Sequence, residues 1–249
     1  MARIAAERRA KSPSHFRDRA EAGRYLAGRL SDLAGNADLL VLGIPRGGVP
    51  VAYEVAKALH ASLDVIVVRK LGFPGAEELA MGAIASGGVR VLNPEVLSEL
   101  PVPERTIDRV AAQELKELER RERVYRRGRP AINPRGCTVV VVDDGLATGS
   151  TMCAAVAALR QRKAAAIIVA VPVGAASTCR RLAPIADRFV CMIKSENFVA
   201  VGVWYDDFRP TTDDEVRSLL DDSWRSGAPP NAIAVAAGAG PPRPEQPAK

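Results

Sequence analysis

Two carboxylates and a loop rich in hydroxyl groups stand close together between Val139 and Thr151. Asp143 and Asp144 follow four valines that predict a buried strand, and Thr-Gly-Ser-Thr then leads into a helical pattern. A helix N-terminus presents free N–H groups and favours an anion, and Gly149 lets the backbone approach a ligand closely. Adjacent carboxylates can accept hydrogen bonds from the vicinal hydroxyls of a ribose or help to hold Mg²⁺. The stretch therefore predicts a site for a sugar phosphate.

Each of these features also has an ordinary interpretation. The two acids could cap the next helix, and the Thr-Gly-Ser-Thr segment could be a turn. The competing phosphate motifs lack their residues, since the chain has no G-x-x-x-x-G-K-[ST] and no G-x-G-x-x-G after its first predicted strand. The combination of acids and hydroxyls therefore favours the sugar phosphate.

The stretch resembles the signature with which type I phosphoribosyltransferases bind phosphoribosyl pyrophosphate (PRPP). That signature is an apolar strand, two acids and a loop ending in Thr-Gly-x-Thr, and the likeness extends over roughly residues 16–215. It implies that Asp143 and Asp144 position the ribose and Mg²⁺ for catalysis. It also implies the residues that contact the ribose and its 5′-phosphate: Asp143, Asp144, Gly145, Leu146, Ala147, Thr148, Gly149, Ser150 and Thr151.

Two further segments resemble the pyrophosphate-binding parts of this family. Residues 43–48, which end in Arg46, Gly47 and Gly48, are similar to its pyrophosphate loop, and the resemblance implies a cis peptide bond between Pro45 and Arg46. Arg69 and Lys70 resemble a basic pair that meets pyrophosphate, where charge-assisted contacts would offset the leaving group's negative charges. Taken alone, the glycines could form a turn and the basic pair could end a solvated strand.

The reaction that the resemblance implies displaces pyrophosphate from C1 of the ribose by a ring nitrogen of a base. The protein then mainly positions groups and neutralises charge, with Mg²⁺ as the cofactor. Several family members carry an aspartate where this chain has Ala147, although adenine and uracil members also have alanine there. We therefore assign no general base from the sequence.

A hood at about residues 187–215 is implied to select the base. Phe198 could stack on the base and Val199 could offer backbone groups to its edge. Asp206 or Asp207, together with Asp144, could bind Mg²⁺. The alternative is that the aromatic residues here belong to the core and the two acids are surface charge.

The hydrophobic periodicity predicts an α/β fold with an open, doubly wound, mainly parallel five-stranded sheet, the architecture of the type I family. We expect core strands at 39–44, 63–68, 139–142, 166–171 and 187–192, and helices at 18–33, 51–59, 103–127, 150–163 and 175–182. An insertion at about 71–130 would contain a loop at 71–79, a hairpin of strands at 81–86 and 89–92, and the long helix. It stands in the place of the family's flexible catalytic loop.

Composition sets the remaining expectations. A chain of 249 residues with 47% hydrophobic content predicts a single domain over residues 1–226, and the Ala/Pro/Gly-rich residues 227–249 predict a flexible tail. No apolar run is long enough to span a membrane and the basic N-terminus lacks a signal-peptide core, so we expect a cytoplasmic protein. Two isolated histidines and four scattered cysteines argue against a zinc site.

These observations lead to two hypotheses. The first is a phosphoribosyltransferase that uses PRPP and Mg²⁺ to transfer the phosphoribosyl group to or from a nitrogenous base, purine-like, in nucleotide salvage. Its partners would be PRPP, the base, a nucleotide monophosphate and pyrophosphate, and a homodimer is usual for the family. The second is a regulatory protein that binds PRPP or a nucleotide without turnover. The net charge is +6, and much of the basic charge falls on two predicted helices in which acids are interleaved. This pattern favours solvated helix faces, so nucleic acid is not an expected partner, although RNA contact belongs to the second hypothesis.

Overall fold

The computed structural model describes residues 13–226. The strands of this part of the chain are β1 (Leu39–Gly43), β2 (Ser62–Val65), β3 (Val68–Phe73), β4 (Ala76–Ala85), β5 (Val89–Leu92), β6 (Thr138–Val142), β7 (Ala166–Ala175) and β8 (Arg188–Ser195). Its α-helices are α1 (Arg19–Gly28), α2 (Gly48–Leu59), α3 (Pro94–Glu99), α4 (Glu104–Arg126), α5 (Ser150–Gln161), α6 (Ala176–Leu182) and α7 (Asp213–Arg225). Short 3₁₀ helices lie at Ser31–Leu33, Ala183–Ile185 and Val201–Trp204.

A five-stranded parallel sheet with the order β2-β1-β6-β7-β8 forms the centre of the fold. Helices cover both faces, so alternate residues of a strand enter different cores. Val140 and Val142 pack with α1 and α2, whereas Val139 and Val141 pack with α5 and α6. Double coverage explains why the inner strands are continuous valine and isoleucine runs. The predicted doubly wound α/β fold is confirmed.

The insertion contains a separate antiparallel sheet with the order β3-β4-β5. The predicted hairpin is present as β4 and β5, but the prediction of a loop at 71–79 is wrong, because β3 and β4 occupy most of it. Gly72 stands where the register of this pair shifts, and Gly75 turns the chain with a φ of +81°. Glycine and proline here mark a bulge and a tight turn between strands. The strand expected at 63–68 likewise ends at Val65, and β3 begins at Val68.

Helix α4 returns the chain from the insertion to the core, where a buried ion pair anchors its C-terminal end. Arg126 Nε donates to both carboxylate oxygens of Asp64 on β2, at 2.8 and 3.1 Å, and its NH2 donates to the carbonyl of Val65 at 2.9 Å. Asp64 also accepts the backbone N–H of Ile132 at 3.0 Å. The insertion is therefore tied to the central sheet at the point where it rejoins it.

Helices α3 and α7 were not predicted. The start of α7 has a recognisable signal, since Thr212 accepts the N–H of Glu215 at 3.1 Å and acids fill its first turn. Strand β8 takes up the first part of the predicted hood, which leaves the segment after Ser195 for that role.

No helix among the described residues is long and apolar enough to cross a membrane. The predicted tail at 227–249 lies outside the described residues, so the tail and the domain limit at 226 stay predictions.

Candidate functional site

The two predicted loops meet where the chain reverses its direction of travel across the sheet. From β1 the chain moves outward to β2, and it later returns to add β6 on the other side of β1. Gly43 at the end of β1 stands in register with Val142 at the end of β6. Crevices at such switch points, outside the carboxyl ends of parallel strands, are the usual ligand sites of open α/β sheets. The topology therefore brings the candidate pyrophosphate loop beside the candidate PRPP loop.

Glycine is required for this close approach. A Cβ on Gly48 would lie 2.7 Å from the carbonyl oxygen of Val142, and one on Gly47 would lie 2.0 Å from Oδ2 of Asp144. Both distances are too short for a side chain to be accommodated without movement. The Pro45–Arg46 peptide bond is cis, as the resemblance implied. Gly47 and Gly48 therefore pack directly against the pair of acids.

The two acids occupy unlike surroundings although they are neighbours. Burial, together with the adjacent Asp144, raises the pKa of Asp143 well above its usual value. Burial also raises the pKa of Asp144, but the guanidinium of Arg19 opposes this effect. Asp143 accepts the backbone N–H of Asp144 at 2.9 Å. Adjacent, partly buried carboxyls at a strand end can accept hydrogen bonds from hydroxyl groups, and a cation bound beside them would favour their ionised form.

Arg19 is one of the residues of this site that the sequence analysis did not predict. Its Nε donates to Asp144 Oδ2 at 2.8 Å, and its NH1 donates to the carbonyl oxygen of Arg209 at 2.8 Å. Its guanidinium carbon lies 4.0 Å from the centroid of the Phe208 ring. Tyr205, which stacks on Phe208, donates its hydroxyl to the Asp144 carbonyl at 2.6 Å. Arg19 stands in a charged helix far from the motif in sequence, so spacing gave no signal for it.

Helix α6 donates hydrogen bonds to the candidate phosphate loop. Thr178 donates to the carbonyl of Ala147 at 2.6 Å, and Arg181 donates to the carbonyl of Thr148. Gly149 has a φ of +73°, and a Cβ there would lie 2.7 Å from both Thr178 and Leu182. These contacts fix the loop at the N-terminus of the twelve-residue helix α5, which favours an anion.

The remaining loop residues connect the site to β7 and the hood. The N–H of Leu146 donates to Val173 at 2.9 Å, and a Cβ on Gly145 would lie 2.4 Å from the side chain of Val201. Ser150 is exposed and Thr151 is half-buried in the first turn of α5. Ala147 is exposed and contributes only a methyl group, at the position where several members of the resembled family carry an aspartate.

The basic residues predicted to meet pyrophosphate differ in their present contacts. Arg69 is engaged by Glu114 of α4, with its Nε and NH2 at 2.7 and 2.6 Å from the same carboxylate oxygen. Arg46 lies 3.8 Å from Asp213 and is about half exposed. Lys70 is exposed. The structure places Arg46 beside the pyrophosphate loop glycines and places Arg69 and Lys70 on the inserted sheet.

The predicted hood residues also differ in their exposure and contacts. Phe198 is half-buried against the cluster that contains Phe16 and Tyr205, whereas Val199 is 84% exposed. Asp206 pairs with His15 at 3.1 Å and Asp207 with Arg209 at 3.1 Å. The predicted metal role of these two acids and the predicted base contacts stay predictions. The part of the chain that the structure describes contains no group of three or more acidic, histidine or cysteine side chains placed to hold a metal ion.

The chain is similar to a known protein family. Residues 17–208 match the family model of the phosphoribosyl transferase domain. Two Mycobacterium tuberculosis proteins, from strains CDC 1551 / Oshkosh and ATCC 25618 / H37Rv, are provisionally named phosphoribosyl transferases. Each is 49% identical to this chain over 222 residues, which is 89% of this chain and 50% of the relative. The chain thus spans about half the length of these curated relatives.

A solved structure is also similar to this chain. The crystal structure of TT1426 from Thermus thermophilus is 42% identical and superposes with a TM-score of 0.75, covering 84% of this chain and 98% of that protein. At this identity and coverage the two chains share one fold.

Proposed function

The chain belongs to the phosphoribosyl transferase family, and from this premise we propose that it is a phosphoribosyltransferase acting on PRPP and a nitrogenous base. One observation carries the proposal: Gly47 and Gly48 pack against Asp144 and Asp143 at the switch point of the sheet. The candidate loops for pyrophosphate and for the ribose 5′-phosphate lie side by side in one crevice, and this supports PRPP, a ligand that carries both groups.

The described residues support positioning and charge neutralisation. Asp143 and Asp144 would accept hydrogen bonds from the ribose hydroxyls, and the N-terminus of α5 would bind the 5′-phosphate. Arg46 and the N–H groups of the pyrophosphate loop would neutralise the leaving group as the bond at C1 breaks. A ring nitrogen of the base would form the new bond at C1. No side chain is assigned as general base, because Ala147 supplies none.

The donor set fits Mg²⁺ bound together with the substrate. Mg²⁺ in phosphate-handling sites takes one or two carboxylates from the protein and its other oxygens from phosphates and water. Asp143 and Asp144 provide two adjacent carboxylates in this crevice. When bound, Mg²⁺ would neutralise charge on the departing pyrophosphate. Asp206 or Asp207 would contribute to the binding of a second Mg²⁺.

We further propose a purine-like base and a role in nucleotide salvage, on the sequence likeness of the segment around Phe198 to purine members. The homodimer and the cytoplasmic location also stay predictions.

The test is a panel of bases. The protein is incubated with PRPP, Mg²⁺ and each of adenine, guanine, hypoxanthine, xanthine, uracil and orotate, and pyrophosphate release and nucleotide formation are followed together. The double variant Asp143→Asn/Asp144→Asn is the blank. Turnover with one base that disappears in the blank would support the proposal and name the acceptor. A lack of turnover across the panel would reject a salvage enzyme for these bases.

Ala147 favours a second candidate, a regulatory binder of PRPP or a nucleotide. The loop precedes the N-terminus of α5, where a phosphate would bind, but it offers a methyl group where several enzymes of the resembled family carry an acid. Tight binding of PRPP without turnover in the same panel would support this candidate.

A further inference from the structure

A cavity of about 600 Å³ lies between helix α4 of the insertion and the first turn of α5. Its walls include Arg69 and Lys70 from β3, Arg109 and Glu114 from α4, and Thr151 from the phosphate loop. The volume is within the range of small-molecule sites, roughly 300–1,000 Å³. The cavity therefore extends from the predicted basic pair to Thr151 at the start of α5, and α4 forms its opposite wall.

Basic side chains predominate among the lining residues whose side chains the structure describes. Three of these residues are basic and one, Glu114, is acidic, and its carboxylate is bound to Arg69. Within residues 13–226, no described ion pair includes Lys70 or Arg109. Cations that line one open cavity and have no ion-pair partner among the described residues favour an anionic ligand with several charges.

Helical spacing explains why α4 can serve this cavity. Arg109 and Gln113 are one turn apart, as are Val110 and Glu114, and all four line the cavity. Arg105 lies one turn before Arg109 on an exposed part of the same helix and is not among the lining residues. One face of α4 thus lines the cavity. Arg105, in the preceding turn, is a matched control for Arg109.

We propose that Arg109 is a pyrophosphate-binding residue that the insertion contributes to the site, and that Glu114 occupies Arg69 until a diphosphate displaces it. This inference rests on the proposed function, since it assigns a further residue to the binding of the same substrate. The side chains of Arg69 and Glu114 are each about a quarter exposed, so solvent screens their attraction. Breaking this ion pair therefore costs little free energy. A diphosphate offers Arg69, Lys70 and Arg109 charge-assisted contacts that one carboxylate cannot provide.

The proposal predicts opposite effects for two residues of one helix. Arg109→Ala should weaken the binding of inorganic pyrophosphate with Mg²⁺ by about tenfold or more, because a charged contact is lost. Glu114→Gln should tighten it by a few-fold, because Arg69 is released. In an Arg69→Ala background, Glu114→Gln should have no further effect, since the two residues act as a pair.

The measurement is calorimetric titration of the full chain with Mg²⁺-pyrophosphate, with circular dichroism to verify that each variant is folded. Arg105→Ala is the control and should bind as the wild type does. Equal affinities for Arg109→Ala and Arg105→Ala would overturn the role of Arg109, and unchanged affinity in Glu114→Gln would overturn the displacement.

The experiment separates this inference from the proposed function. If the wild type turns over PRPP while its pyrophosphate affinity is insensitive to Arg109, the inference alone fails. If the wild type binds no pyrophosphate, the inference fails together with the assignment of a pyrophosphate site.

Discussion

The Arg19 guanidinium lies 2.8 Å from the Asp144 carboxylate and 4.0 Å from the centre of the Phe208 ring. A residue of the first helix thus joins the second acid of the PRPP loop to the hood. Both side chains of the ion pair are mostly buried, at 11% and 14% exposure. The acid that is predicted to bind ribose is therefore oriented by a helix more than a hundred residues earlier in the chain.

The first prediction concerns this pair. Arg19→Ala should lower the free energy of unfolding by roughly 2–3 kcal/mol, because a largely buried carboxylate loses its charged partner. Without Arg19 the pKa of Asp144 should rise further, so the loss should be larger at pH 8, where the carboxylate is ionised, than at pH 5. Urea unfolding at the two pH values measures this. Arg17→Ala, at an exposed neighbour, is the control; equal losses in both variants would contradict the account.

The second prediction concerns Gly47. Gly47→Ala places a methyl group where Asp144 Oδ2 now lies, so the carboxylate must move away from its present position. We expect the catalytic efficiency with PRPP to fall by about 100-fold, since displacements of about 1 Å have this effect. Gly28→Ala is the matched control, because nothing lies within 4 Å of a Cβ at that position. Steady-state kinetics on both variants decides the matter, and a Gly47→Ala enzyme of normal efficiency would show that the close approach is unimportant.

The third prediction uses the raised pKa of Asp143. A carboxyl whose pKa is higher in the folded state holds its proton more tightly there, so stability falls as the pH rises from the unfolded pKa through the folded pKa. Asp143→Asn removes this titration, while its amide oxygen can still accept the N–H of Asp144. The Tm of the ligand-free variant should therefore exceed that of the wild type, by a margin that grows as the pH rises through this window.

Calorimetric scans between pH 4 and pH 8 measure the margin, and Asp108→Asn, at an exposed carboxylate of α4, controls for the substitution itself. A margin that shrinks with rising pH would contradict the burial of an ionisable Asp143.

The fourth prediction tests how the insertion is anchored. Arg126 and Asp64 have side-chain exposures of 8% and 4%, so Arg126→Ala leaves an unpaired buried carboxylate. The free energy of unfolding should fall by about 3–5 kcal/mol. Arg120→Ala removes an exposed ion pair of the same helix and should change the unfolding midpoint little. Denaturant titration of both variants is the measurement. Similar small effects would mean that the insertion does not depend on this contact.

Much of the fold was predictable because short segments of the sequence determine their own secondary structure. The valine runs predicted the buried parallel strands, and Asp143 to Thr151 predicted the loop that follows one of them. The strands β3 and β4 were missed at 71–79, because Gly72 and Gly75 form a bulge and a turn within a sheet whose pairing is set by distant residues. Helix α7 carried a readable capping signal at Thr212 and Glu215.

The site was predictable only where one segment holds its own chemistry. The candidate pyrophosphate loop and the candidate PRPP loop could each be predicted from one segment of sequence, and the parallel sheet brings the two segments together. The roles of Arg19, Thr178 and Arg181 depend on packing between elements that are distant in sequence. No spacing rule identifies such contacts, because they follow from the three-dimensional arrangement of α1 and α6 around the loop.

The proposed function depends above all on residues 43–48 and 143–151 forming one PRPP site. Calorimetric titration of Mg²⁺-PRPP, without any base, into the wild type and into folded Asp143→Asn/Asp144→Asn examines this directly. We expect saturable binding by the wild type at one site per chain, weakened by about 100-fold in the double variant, since two ribose contacts are impaired. Absence of binding by the wild type, or equal binding by both proteins, would show that the two loops do not form such a site.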